Sequence, residues 1–324
     1  MKPSLPIAAA AVAAALAGCM KDELPVPRQP RGGAVECVAR VGIDYDRQLW
    51  FDLGTYSVVA TNSKMDWDLA FECGPDGWQV RLNASRLMRA HRSSVPLDQP
   101  ADSAGFGNTW TVDVPNGSTD SLAFGDWRAE QPVFLVDMGY NTEGLPMGLR
   151  KVQVTAVDAA GFQFAVADLS GANVHHYGVQ KDPQRAYAHF SISSGSTVQI
   201  APPLGTYDMV FTQYTEQFRP PDPYQAYLVT GVVNGFSGAR VAMVTGNFTE
   251  VSLNDTIAHP FRVAQDAIGY NWKVYSFETG LYEVFSNKVY IVQDREGYFF
   301  KLHFTDYYDE QGLRGSPRFE VVPL

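Results

Sequence analysis

From about residue 35 onward the apolar positions follow a two-residue period in segment after segment, and helical period occurs almost nowhere. Asp66-Trp67-Asp68-Leu69-Ala70-Phe71 and Thr206-Tyr207-Asp208-Met209-Val210-Phe211 each place an aromatic residue, an aspartate and alternating apolar residues in the pattern of a half-buried strand. Lys151-Val152-Gln153-Val154 and Gly161-Phe162-Gln163-Phe164 are two alternating runs around an Asp- and Gly-containing turn, which predicts a hairpin. Lys288-Val289-Tyr290-Ile291 and Gly297-Tyr298-Phe299-Phe300 repeat the same design. In Lys301-Leu302-His303-Phe304-Thr305 the alternation puts Leu302 and Phe304 on an inner face and His303 toward solvent. Residues 84–90 admit one short helical turn or two.

These segments are copies of one another. Phe190 lies 139 residues after Phe51, Phe211 140 after Phe71, Val289 137 after Val152, and Gly297 136 after Gly161. Offsets this steady indicate an internal duplication. The chain therefore reads as all-β, with two tandem antiparallel β domains at 35–180 and 181–324.

Composition narrows what such domains could do. Of 324 residues, 45% are hydrophobic and 19% charged, enough apolar content for substantial cores. A formal charge of −10, with no Lys/Arg cluster to reverse it locally, removes the attraction that phosphate backbones require. A nucleic-acid partner is excluded on that ground. The 28 glycines and 20 prolines suit many turns.

The N-terminus follows different rules. Lys2 precedes an uncharged run of small apolar residues at 7–17, too short for the roughly 20 residues of a membrane-spanning helix. It is read as a signal peptide at 1–18. Its end, Leu16-Ala17-Gly18-Cys19, resembles the bacterial lipobox, which implies that Cys19 is lipidated and that the chain is anchored to the cell envelope, at the outer membrane. Residues 19–34, rich in Pro and Gly, form the tether. Export to an oxidising compartment favours a disulfide between the remaining cysteines, Cys37 and Cys73, with two buried free thiols as the alternative.

Asp66-Trp67-Asp68-Leu69-Ala70-Phe71 followed by Gln79-Val80-Arg81-Leu82-Asn83 resembles the HmuY family of exported bacterial lipoproteins. Asn287-Lys288-Val289-Tyr290-Ile291-Val292 and Lys301-Leu302-His303-Phe304-Thr305-Asp306-Tyr307-Tyr308 extend the likeness into the second half. The resemblance implies a hand-shaped all-β fold that grips haem, taken from host haemoproteins and passed to an outer-membrane receptor. It also implies two axial iron ligands, His in some members and Met in others, since imidazole and thioether both serve iron.

One family ligand precedes the Lys-Val-aromatic strand by about thirteen residues, which points to Met138 in the first half and to Glu278-Thr279, neither a haem ligand, in the second. The other lies further upstream, where His259 is a match in the second half and 111–131 of the first half holds neither His nor Met. Each repeat thus offers half of a pair. A haem held between the domains by Met138 and His259 is one arrangement that would complete it. A second function fits the same residues: a non-haem interaction or structural lipoprotein that keeps the fold and has lost the ligands.

Catalysis finds no support in the motifs. There is no HExxH, Gly-x-Ser-x-Gly or GxxxxGK[ST], and Gly235-Phe236-Ser237-Gly238 lacks the last glycine of a nucleophile elbow. The acidic pairs Asp44/Asp46 and Asp66/Asp68 are read as solvated strand faces, and His175-His176-Tyr177 as part of a solvated connection between the domains.

Overall fold

The computed structural model describes residues 33–104, 109–218 and 225–324. The signal peptide, Cys19 and nearly all of the tether lie outside the described residues. Among the described residues no helix is long and apolar enough to cross a membrane.

The protein is built of strands, as the alternation predicts, and the strands stack in four layers. One outer layer has the order β1(Val35–Val38), β20(Arg314–Pro323), β19(Phe299–Tyr308), β18(Lys288–Gln293), β15(Arg240–Thr245). The other outer layer runs β10(His175–Gln180), β9(Gly161–Asp168), β8(Leu149–Val157), β7(Val133–Asp137), β6(Arg89–Ser93). Between them lie two four-stranded sheets. One is β14(Gln225–Val233), β13(Met209–Phe218), β2(Arg47–Asp52), β3(Ser57–Ser63), and the other is β12(Ser196–Val198), β11(Tyr187–Ser191), β4(Leu69–Glu72), β5(Val80–Leu82). A separate hairpin joins β16(Lys273–Ser276) to β17(Leu281–Val284). All strand pairs are antiparallel.

Period two decides which layer each side chain enters. In β2, Leu49 and Phe51 join Phe211, Phe304 and Phe319 in one outer core, whereas Trp50 between them faces the middle of the stack. In β4, Leu69 and Phe71 enter the second outer core with Phe162, Phe164 and Phe190, and Ala70 faces the middle. In β11, Ala188 and Phe190 go outward and Tyr187 inward. Removing a ring such as Phe51, packed 5.2 Å from Phe319, is expected to cost about 3–5 kcal/mol.

The sheets do not divide where the repeat does. β2 pairs with β13 of the second half, and β11 pairs with β4 of the first. One outer core combines residues 37–53 with residues from 209 onward, and the other combines 69–179 with Ala188 and Phe190. Strands from before and after residue 180 therefore share sheets and cores. Alternation reveals where a strand is but not which distant strand it meets.

The repeated aspartates hold this exchange together. Asp68 receives the Ile192 N–H at 2.7 Å through Oδ2, and its own N–H donates to Phe190 O at 2.9 Å. Asp208 makes the equivalent pair, accepting from Leu53 N at 2.8 Å and donating to Phe51 O at 2.9 Å. Both carboxylates are buried, so Asp68 is not on the solvated face expected of it. A buried acceptor aimed at a strand-end N–H satisfies a donor that would otherwise be orphaned.

Three further expectations are corrected. Cys37 and Cys73 are free thiols, buried in different cores, so the disulfide does not form. Burial pushes the Cys37 thiol up to about 11, the behaviour of a packed hydrophobe rather than a reactive thiol. His303 does not point to solvent: its ring stacks on Phe248 at 3.9 Å and its Nδ1 lies 3.0 Å from Ser286 O. His175-His176-Tyr177 is no linker but the start of β10, at the edge of a five-stranded sheet.

Candidate functional site

Met138 follows β7 directly, and Met147 stands two residues before β8, so one connecting loop carries both thioethers. The loop closes on itself through Met138 N–H to Gly148 O at 3.0 Å and Met147 N–H to Gly139 O at 2.8 Å. Gly139 and Gly148 adopt left-handed φ values of +69° and +81°. These two turns break the strand alternation, and both methionines reach the wall of the same cleft. Gly139 is obligatory for a second reason: a Cβ there would lie 2.0 Å from Arg86 O.

Arg86 anchors the loop from below. It ends the short 3-10 turn Ala84–Arg86, the helical turn expected within 84–90, and is almost wholly buried. Its Nη1 meets Asp68 Oδ1 at 2.6 Å and its Nη2 donates to Met138 O at 2.7 Å. The remaining donor, Nε, has no acceptor. The aspartate that clamps the exchanged strand thus also fixes the arginine beneath Met138.

The cleft has a volume of about 380 Å³, within the range of small-molecule sites. Met65, Met138, Met147, His175 and Tyr177 line it, together with Arg86 and Arg150. His175 and Tyr177 alternate onto the same face of β10, with ring centroids 6.2 Å apart. Three soft thioethers and an imidazole make a donor set suited to a soft or borderline metal centre, while Arg86 and Arg150 are paired with Asp68 and Asp168 in the same wall. No group of three or more His, Cys, Asp or Glu side chains able to hold a bare metal ion occurs among the described residues.

His259 is elsewhere. It is exposed, follows the 3-10 turn Leu253–Ile257, donates its backbone N–H to Asp255 O at 3.0 Å, and is not part of the cleft that contains Met138. The structure does not bring Met138 and His259 together. Met65, Met147 and His175 were missed as companions of Met138. A signal for one of them was present: Met138-Gly139 and Met147-Gly148 repeat the same dipeptide within one loop.

The corresponding place in the second half is the β16–β17 hairpin, which leads into β18 as the methionine loop leads into β8. Its base is fixed by Lys273, whose ammonium lies 4.4 Å from the Trp272 ring centre and 4.8 Å from that of Tyr307 and donates to Thr230 O. Burial pushes the Lys273 pKa down to about 7. Toward its tip the hairpin turns apolar side chains outward: Phe277 is 94% exposed, Leu281 52%.

A family model described as HmuY protein matches residues 44–321. Among solved structures, apo PinO from Porphyromonas gingivitis is 8% identical over 90% of this chain and 98% of its own, with a TM-score of 0.31. The apo HmuY analog of Tannerella forsythia is 10% identical over 90% of this chain and 98% of its own, with a TM-score of 0.24. A protein from Bacteroides vulgatus, described as HmuY-like and heme binding, is 13% identical over 91% of this chain and 94% of its own, with a TM-score of 0.23. No curated protein matches the chain.

Proposed function

The chain belongs to the HmuY family, and from that premise we propose that it binds haem, without catalysis, in the methionine-lined cleft. The observation that carries this reading is the convergence of Met138, Met147 and His175 with Arg86 and Arg150 on one cavity. Haem, where bound, would supply an iron that thioether sulfur and neutral imidazole are both able to hold. Met138 would be the first residue to hold it, its backbone fixed by Arg86 and the Gly139 turn. Met147 and His175 are the partners within the same wall. Arg150, whose side chain is accessible, would answer a propionate, and Tyr177 and Ile192 would supply apolar surface for the macrocycle. On this reading the chain is exported, lipidated at Cys19 and held at the outer membrane, where it takes haem from a host haemoprotein and yields it to a receptor.

Haemin titration of the protein tests the site. The expected result is a saturable Soret change, with affinity lowered at least tenfold in Met138→Ala and unchanged in His259→Ala. No saturable change in either redox state overturns the haem reading. Lipidation is tested separately, by incorporation of labelled palmitate that Cys19→Ser abolishes.

A second reading, a non-haem interaction protein, draws on the outward-facing hairpin with Phe277 at its turn. Large exposed apolar side chains grouped on a protruding element mark contact surfaces. If haemin fails to bind, this reading takes precedence.

A further inference from the structure

A second cavity, of about 150 Å³, lies in the middle of the stack, between the two four-stranded sheets. Trp50, Trp67, Tyr187, Tyr207 and Phe236 form its walls. The rings brace one another edge-on or tilted, with Trp50 4.8 Å from Tyr207 and Tyr187 4.7 Å from Phe236. Nearly every polar group in the wall is already engaged. Gln48 bonds to Thr212, Asn62 and Trp67, and Arg81 to Tyr187, Gln79 and Gly117 O. Asp113 accepts from the Leu82 and Ala123 N–H groups, and the Tyr207 hydroxyl donates to Gly235 O. The unpaired Tyr214 hydroxyl has no accessible surface and sits 3.3 Å from where Gly269 would carry a Cβ.

His189 is the exception. It is 7% exposed, its ring meets Trp67 edge-on at 4.7 Å, and its imidazole makes no hydrogen bond among the described residues. It lines both the inner cavity and a polar groove on the outside, and so forms the partition between them. Desolvation drives its pKa down to about 3, so the ring is neutral and offers one donor and one acceptor nitrogen. Its ring nitrogens keep a little accessible surface, so a ligand hydroxyl can reach them.

We propose that this cavity is a binding site for a small neutral phenol, its ring against Trp50, Trp67 and Tyr207 and its hydroxyl hydrogen-bonded to His189. Size sets the first limit: an apolar cavity of about 150 Å³ accepts a molecule of benzene size, which leaves haem outside. Charge sets the second. No wall carboxylate is free for a cation, and Arg81, the buried cation in the wall, is spent on protein acceptors. The single unpaired imidazole then selects a ligand with one hydroxyl over a hydrocarbon of the same shape.

The test compares phenol with toluene, which has the same shape but no hydroxyl, by calorimetry and Trp fluorescence on the unmodified protein. Phenol is expected to saturate and to bind about tenfold more tightly than toluene, the worth of one buried hydrogen bond. In His189→Phe the preference is lost, and in Ala70→Leu, which fills the cavity, both ligands lose binding. Met138→Ala leaves phenol binding intact, separating this site from the haem cleft. Equal affinities for phenol and toluene in the unmodified protein, or phenol binding that survives Ala70→Leu, overturns the proposal.

Discussion

The methionine loop leads into β8 and the β16–β17 hairpin into β18, and the two connections turn in opposite directions. The first is drawn inward. Arg86 grips Met138 O, Gly139 fits against Arg86 O with no room for a Cβ, and Met138 and Met147 line a cleft, Met138 from within the outer core. The second is pushed outward. Lys273 secures its base, and Phe277 at the turn stands almost fully in solvent. Two connections that each lead into an antiparallel hairpin thus differ in where they send their side chains, and the difference lies in the connection rather than in the strands beside it.

Several substitutions would break or sharpen this contrast. The largest effect is expected from Arg86→Ala, which strands the buried Asp68 charge, frees Met138 and removes an anchor of the exchanged strand. A loss of about 3–5 kcal/mol in urea unfolding follows; a loss under 1 kcal/mol would show that the inward loop does not depend on its anchor. Gly139→Ala and Gly280→Ala test the two turns directly, since both glycines have left-handed φ, of +69° and +71°. Gly280 has only Tyr275 Oη near its missing Cβ, at 3.8 Å, whereas Gly139 faces Arg86 O at 2.0 Å. Stability should fall by about 1 kcal/mol in Gly280→Ala and by about 3 kcal/mol in Gly139→Ala.

Lys273 gives the outward hairpin a pH signature. Its pKa is depressed in the fold to about 7 from an ordinary 10.5. Below pH 7 both folded and unfolded chains carry the proton, and the cost of a buried ammonium is present in full. As pH rises toward 10.5 the folded chain has released a proton that the unfolded chain still binds, so stability increases. Relative to Lys273→Met, the protein should gain about 1 kcal/mol per pH unit between pH 7 and 9, measured by denaturant unfolding. The smallest effect belongs to Phe277→Ser, which removes an exposed ring and should change stability by less than about 0.5 kcal/mol.

What could be read beforehand was local. The alternation around Leu69 to Phe71, Met209 to Phe211 and Leu302 to Phe304 placed strands where they occur, and the glycine-bearing turns placed β8 beside β9 and β18 beside β19. What could not be read was every fact that depends on a distant partner. The exchange of β2 and β11 escaped because a strand's sequence says nothing of its neighbour. Cys37 and Cys73 looked pairable until they were found in different cores. His259 matched a position in the repeat but lies outside the cleft of Met138, while His189, unremarkable in the sequence, became informative once its partners could be counted.

The exchanged strands also govern the order of assembly. β1 pairs with β20, so Val35 waits for Val321, and β2, which pairs with β3 close by, meets its second neighbour only when β13 has been synthesised. At roughly 5–20 residues per second that wait is on the order of ten seconds, during which Leu49 and Phe51 have only the β2–β3 hairpin and no facing layer to bury them. Neither half can finish first, so the protein should cross from unfolded to folded late and as one cooperative event, with slow kinetics set by contacts between the ends of the chain.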